Sequence, residues 1–372
     1  MNRGDESHNM TYEEAEKTIQ ESYIDSTYSF LEGTTTRVTD HKNFMKCYEI
    51  VMHQCDQLDN GEKLFKFYNK IIKHFLSAIA IPQTRRYSGE NLIKAFVKQW
   101  SNFNMFAKCL ERMFTYLNRY YLKNQSMKSL GQHALQHFND IYFSAIKDDL
   151  LKAVLDEISK DRNNEIVERP TLKKAIKCYV DMGLHGAAPD KTADGAYYWT
   201  GDKNLAFYER EFEAPFLTKT KEEFEKKANL WNSQLNCPEY LMEVEKALTK
   251  EETNADFWLQ PETKPKMLKR VEEQLISHKA EAVVQKDTGC AYMFEHKQLE
   301  YLKLMYKNFK RDEKTLELII EKMNPYIEKR GEKIVKDETL LKDPQEFTQK
   351  LLDLKKEMDT MLEESFSNDM KF

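Results

Sequence analysis

His133 and His137 stand four residues apart. That spacing puts two imidazoles on one face of a helix, where they can clasp a metal. No carboxylate or third ligand accompanies them at a fitting spacing, so they read as surface or interface histidines and no metal is expected. Six cysteines, Cys47, Cys55, Cys109, Cys178, Cys237 and Cys290, are scattered without a C-x-x-C pair. Most have apolar neighbours, among which free thiols pack as small hydrophobes, and a reducing compartment suits them better than a disulfide framework. The sequence holds no phosphate-cradling glycine loop, no G-x-S-x-G and no H-E-x-x-H. Neither a catalytic residue nor a cofactor is expected.

The chemistry that remains is recognition. In the segment 44–52, FMKCYEIVM, only Lys46 and Glu49 are strongly polar. At helical spacing the two fall close together and leave an apolar arc of roughly 220°. A helix packed on a single core needs a stripe of only about 100° or somewhat more. The surplus points to two apolar faces, one for the core and one for a partner. His41, Phe44, Met45 and Tyr48 share one face, while Cys47 and Ile50 point elsewhere. The plainer alternative is that Phe44 and Tyr48 belong to the core. Tyr197, Tyr198 and Trp199 form a second aromatic group, which could dock a partner or lie back on the molecule.

These residues need long helices to carry them. The chain has 372 residues, with 32% charged and 41% apolar, and only 11 glycines and 9 prolines. That balance favours helices over sheets, and the length exceeds one ordinary core. The 57 basic and 62 acidic residues, net −5, are spread evenly, so no basic block is available for nucleic acid. The longest apolar run, near Phe75–Ile81, is far short of a bilayer span, and the first residues lack the pattern of a signal peptide. A soluble, intracellular protein is expected.

Residues 1–10 read as a disordered tail. Amphipathic periodicity predicts helices over 12–31, 40–57, 62–80, 90–104, 106–122 and 129–161. Thr171 is the expected cap of the next helix, with Gly183 as its left-handed stop and Leu184 as the contact that follows. The stretch 185–203 holds three glycines and no helical period, and reads as a mobile loop. Helical pattern resumes at Leu205 and runs to about Lys250, then a joint spans 253–266 around Pro261 and Pro265. Later breaks are expected at Thr288-Gly289, Arg330-Gly331 and Asp343-Pro344. No strand-like alternation is long enough to propose a sheet. The fold class is all-α, a succession of stacked helices.

One stretch is more telling than the rest. In FAKCLERMFTYLNRYYL, residues 106–122, Leu110, Met113, Phe114, Leu117 and Tyr121 make one apolar face, closed by Tyr116-Leu117-Asn118-Arg119. This segment resembles the first repeat of the cullin family. FYNKIIKHFL (67–76), LIKAFVKQW (92–100), AVLDEISKDRNNE (153–165), CYVDMGL (178–184), FYEREFEAPF (207–216), the stretch 305–335 and ESFSND (364–369) extend the likeness over nearly the whole chain. Tyr116–Arg119 and the 178–184 segment favour the cullin 1 branch.

The resemblance implies an elongated rod of three helical-bundle repeats, over 11–150, 151–265 and 266–372. It implies a non-enzymatic scaffold of an SCF-type ubiquitin ligase, cytoplasmic and nuclear, whose first repeat holds a BTB/POZ-fold adaptor that carries an F-box protein. The grip comes from the second helix and the start of the fifth. Phe44 and Tyr48 stand where the family usually has tyrosines, and Phe44 lacks the hydroxyl. The fifth helix begins near Leu130, making Leu130, Gln132 and His133 contacts, with Ala134 and Phe138 buried. Gly131 replaces a frequent aromatic. Cullins continue into a C-terminal domain that binds the RING-box subunit and carries a modified lysine, and these residues do not include it; the chain is expected to be a fragment or a natural short form. A helical tethering rod unrelated to ubiquitin shares the composition, but leaves the two-faced second helix and the 364–369 motif unexplained.

Overall fold

The computed structural model describes residues 10–57, 59–183 and 204–372, together with the backbone of 190–191 and 197–198. The described chain is all-α apart from a two-residue antiparallel ladder that pairs Asp190 with Tyr198 and Lys191 with Tyr197. This ladder lies in the stretch expected to be a structureless loop; Leu184, Trp199 and most of the tail fall outside the described residues. The chain divides into two compact units, Met1–Ala214 and Pro215–Phe372.

The first unit contains α1 (12–31), α2 (His41–Asp56), α3 (60–84), α4 (Gly89–Met113), α5 (115–124), α6 (130–162), α7 (Arg169–Asp181) and α8 (206–213). Side-chain caps set several starts. Thr11 and Glu14 form a reciprocal capping box at α1, and Asp40 accepts the Asn43 amide at 2.7 Å to open α2. Ser129 and Gln132 repeat the capping box at α6. Wide π turns interrupt α1, α3 and α6 without ending them.

Aromatic rings fill the core. Tyr28, Phe75 and Phe106 cluster with centroids 4.6 to 6.3 Å apart, and Phe103, Phe138 and Trp100 form a second layer. Two buried phenols find backbone acceptors, which offsets the cost of drying a hydroxyl. Tyr68 donates to the Leu130 carbonyl at 2.9 Å, and Tyr23 to the Cys109 carbonyl at 3.0 Å. The expected face of 106–122 is the core itself: Leu110, Met113, Phe114 and Leu117 are fully buried.

Several expected boundaries shift. The polar run near Asn104 does not break a helix, because Asn104 is buried and has a partner; α4 runs on to Met113 and ends at Phe114. Glu168, not Thr171, precedes α7, with Pro170 in its first turn, where a missing N–H costs nothing. Gly183 is not left-handed. It is needed for a close approach instead, since a Cβ there would meet the Asn204 carbonyl at 2.8 Å.

The second unit takes α9 (Ala214–Gln234) from Pro215 onward, then α10 (Cys237–Trp258), α11 (263–277), α12 (Ala280–Val284), α13 (Cys290–Glu295), α14 (Leu299–Phe309), α15 (Glu313–Val335) and α16 (Pro344–Phe366). The pattern expected to run unbroken from Leu205 to Lys250 is cut at Leu235-Asn236, where Asn236 and Glu239 cap α10. That helix then continues to Trp258, well into the expected joint. α15 passes straight through Gly331, while Asp343 caps α16 as the Asp-Pro signal suggests. The 364–369 sequence terminates α16: Ser367 and Asn368 both take φ of 53°, and Phe366 packs on Tyr306.

Candidate partner-binding surface

α2 settles into the first unit by one narrow stripe. Cys47, Ile50, Val51 and Gln54, at i, i+3, i+4 and i+7, are fully buried. Together they cover about 100° of the helix by its geometry. The apolar flank beside that stripe is left over. His41 and Met45 are exposed, Met45 to 36%, while Phe44 and Tyr48 are half-buried.

Phe44 is braced rather than enclosed. Its ring centroid lies 5.9 Å from Tyr23 and 6.3 Å from Tyr48, with which it stacks, and the Arg112 guanidinium sits 5.7 Å from it. The half-burial follows from angle: Phe44 lies on the helix only about 20° from Val51, the edge of the core stripe. A ring held in this way loses little freedom when another surface covers its outer side.

The same flank extends further than the four residues read from the sequence. Met52 and Cys55 fall within its arc and are half-buried. At the last turn of α2 the surface passes to α5. The Tyr116 hydroxyl donates to Asp56 Oδ1 at 2.9 Å, and its ring packs tilted against Tyr120 with centroids 4.3 Å apart. That hydrogen bond to a carboxylate pushes the Tyr116 phenol up to about 12. Tyr120 is 52% exposed. Sequence reading placed Tyr116 in a motif and Tyr120 just after it, but neither beside α2, since only the packing of α5 on α2 brings them there. The Cys55 thiol does not supply a nucleophile: burial pushes it up to about 11, with Asp56 adding to the effect.

The start of α6 contributes differently from expectation. Leu130 is fully buried, its amide donating to Asn118 Oδ1 at 3.1 Å and its carbonyl accepting from Tyr68. It therefore offers no surface, which corrects its place among the contacts; as the first residue of a capped helix it points into the core that anchors the cap. Gln132 is half-buried, and its side chain closes the capping box by accepting the Ser129 amide at 2.9 Å. His133 lies edge-on against Phe65 of α3 at 4.9 Å, and burial, helped by Lys128, lowers its pKa. Ala134 and Phe138 are buried. His137 Nε2 pairs with Asn69 Oδ1 at 2.8 Å, and no cluster of three or more potential metal ligands occurs among the described residues. No described helix is long and apolar enough to cross a membrane.

Comparison with known proteins fits this geometry. The family model of the cullin alpha solenoid domain matches residues 17–372. Among curated relatives, Cullin-3 of Dictyostelium discoideum is 27% identical over 316 residues, covering 84% of this chain and 39% of the relative. Cullin-1 of rice is 24% identical over 312 residues, covering 83% and 40%, and Cullin-3A of Arabidopsis thaliana is 24% identical over 366 residues, covering 95% and 46%. The chain thus spans about two fifths of the length of these relatives, which are of mixed cullin type with no preference for cullin 1. The matched region is a non-catalytic scaffold. By the extent of that match, the chain belongs to the cullin family.

Proposed function

We propose that this chain is the adaptor-holding arm of a cullin-RING ubiquitin ligase scaffold, acting in the cytoplasm and nucleus. Its partner is a small BTB/POZ-fold adaptor that carries an F-box protein, and it docks on the outer flank of α2. The carrying observation is that the fully buried residues of α2 are Cys47, Ile50, Val51 and Gln54, while Phe44 and Tyr48 are only half-buried and Met45 is exposed. His41 and Met52 continue that flank, and Gln132 and His133 of α6 are taken as further adaptor contacts. The three-repeat division at 11–150, 151–265 and 266–372 belongs to the same reading, as does the choice of an F-box adaptor, which rests on the Tyr116–Arg119 motif. The RING-box subunit would be reached only through residues beyond these.

The contribution of such an arm is geometric. Packed helices hold a bound substrate receptor at a fixed distance from a tethered conjugating enzyme, which raises the effective concentration of one near the other. The test is calorimetry with an F-box-type BTB/POZ adaptor. Phe44→Ala with Tyr48→Ala should weaken binding by several kcal/mol, about the size of interface hot-spot losses. Unchanged affinity in a variant of intact helicity rejects the reading.

A further inference from the structure

A second surface of the first unit has a different character. A groove of about 720 Å³ opens between α3, the end of α5 and the start of α6, and no residue of α2 lines it. Phe65, Tyr121 and Met127 make its floor, Met127 being 38% exposed. Tyr121 is fixed there by Gly61, at which a Cβ would drive into the ring.

The rim is basic on a chain whose net charge is −5. Lys66, Lys70 and Lys73 of α3 line the groove against a single carboxylate, Glu62. Glu62 is already matched by Lys66 at 2.6 Å, and Lys70 reaches Glu16 at 3.1 Å. Lys73 has no ion pair among the described residues, and its charge adds to burial in holding the neighbouring His137 imidazole towards its neutral form. His133 Nε2 is buried in the wall without a hydrogen-bond partner. An apolar floor, a lysine rim in which the Lys73 ammonium has no ion pair, and an orphaned ring nitrogen are what an acidic peptide with one large apolar side chain would satisfy together.

We propose that this groove receives an acidic segment of a partner protein, with one apolar side chain lodged between Phe65, Tyr121 and Met127 and its carboxylates on Lys66 and Lys73. The site goes beyond adaptor docking on α2, takes no residue from that helix, and shares only His133 with the contacts proposed for the adaptor.

Random peptides displayed on phage, selected on the folded chain, test the idea without presuming a sequence. Enriched peptides should carry carboxylates around a Leu, Phe or Met. Their affinity, read by fluorescence polarisation, should fall about tenfold or more in Lys66→Gln/Lys73→Gln and in Met127→Ser. These changes lie at exposed positions, so circular dichroism should be unchanged, and Lys66→Arg/Lys73→Arg should restore binding. Enrichment of neutral or basic peptides, no enrichment, or affinity indifferent to both variants overturns the proposal. So does an all-glutamate peptide that binds as tightly as the enriched ones, because it would reduce the groove to charge alone.

Discussion

Asp56 accepts the Tyr116 hydroxyl at 2.9 Å, tying the last turn of α2 to the first turn of α5 across sixty residues of sequence. The bond lies at the surface, so its consequence is placement rather than stability. It sets the Tyr116–Tyr120 pair at the end of the apolar flank that begins at His41.

The Tyr116 phenol is therefore expected to titrate well above an ordinary tyrosine, at about 12, and Asp56→Asn should bring it back towards 10. A carboxylate acceptor favours the protonated phenol, so its loss lowers the pKa. Tyrosine carbon resonances in labelled protein, followed through alkaline pH, report the change. A Tyr116 signal that titrates identically in both proteins contradicts the assignment.

The two faces of α2 should separate stability from binding. Ile50→Ala removes buried volume and should cost about 2–5 kcal/mol in denaturant unfolding. Phe44→Ala and Tyr48→Ala, already half in solvent, should each cost clearly less than Ile50→Ala while carrying the loss of adaptor affinity. If Phe44→Ala destabilises as much as Ile50→Ala, Phe44 is a core residue and the outer face is not spare.

Two helical glycines should answer oppositely to alanine. At Gly61 a Cβ would sit 2.9 Å from Tyr121 Cε2 and Cγ and closer still to Cδ2, so Gly61→Ala should destabilise by roughly 1–3 kcal/mol. At Gly331, inside α15, a Cβ meets nothing within 4 Å, and Gly331→Ala should stabilise by about 0.5–1 kcal/mol. Urea midpoints of the two variants decide this. Equal shifts of one sign would mean that Tyr121 does not press on Gly61.

Asp181, at the end of α7, is only 9% exposed, and burial pushes its carboxyl from 3.8 up to about 6, with Lys177 opposing weakly. A folded pKa above the unfolded one means that the native protein holds its proton longer. The side chain is nearly harmless at and below about pH 4; its cost grows as pH rises from about 4 to about 6, where the unfolded chain ionises and the native one does not, and is complete above about 6. Asp181→Asn should therefore stabilise by up to about 3 kcal/mol at pH 8 and by almost nothing near pH 4. A pH-independent difference in unfolding free energy would show that the group is not desolvated.

Much of the fold was legible because helices announce themselves locally. Capping residues such as Asp343, and apolar spacing such as Leu110, Met113, Phe114 and Leu117, depend on neighbours within a turn or two. The misplaced boundaries have nonlocal causes. Asn104 looked like a break but is carried inside, and Gly183 looked like a left-handed stop but is demanded by the approach of the 204–207 segment. Gly331 looked like a break and is only a weak spot inside a helix whose neighbours hold it.

By itself the sequence determined that the chain is helical and that α2 has more apolar surface than one core requires, because composition and periodicity are properties of residues a few places apart; the likeness to cullins came separately, from matching segments. Only the tertiary structure decided which apolar residues stay outside. Leu130 turned inward because its helix start is stitched to Asn118 and Tyr68, and Tyr116 joined the flank because α5 packs on α2. Burial is settled by what arrives from far along the chain, and no local pattern records it.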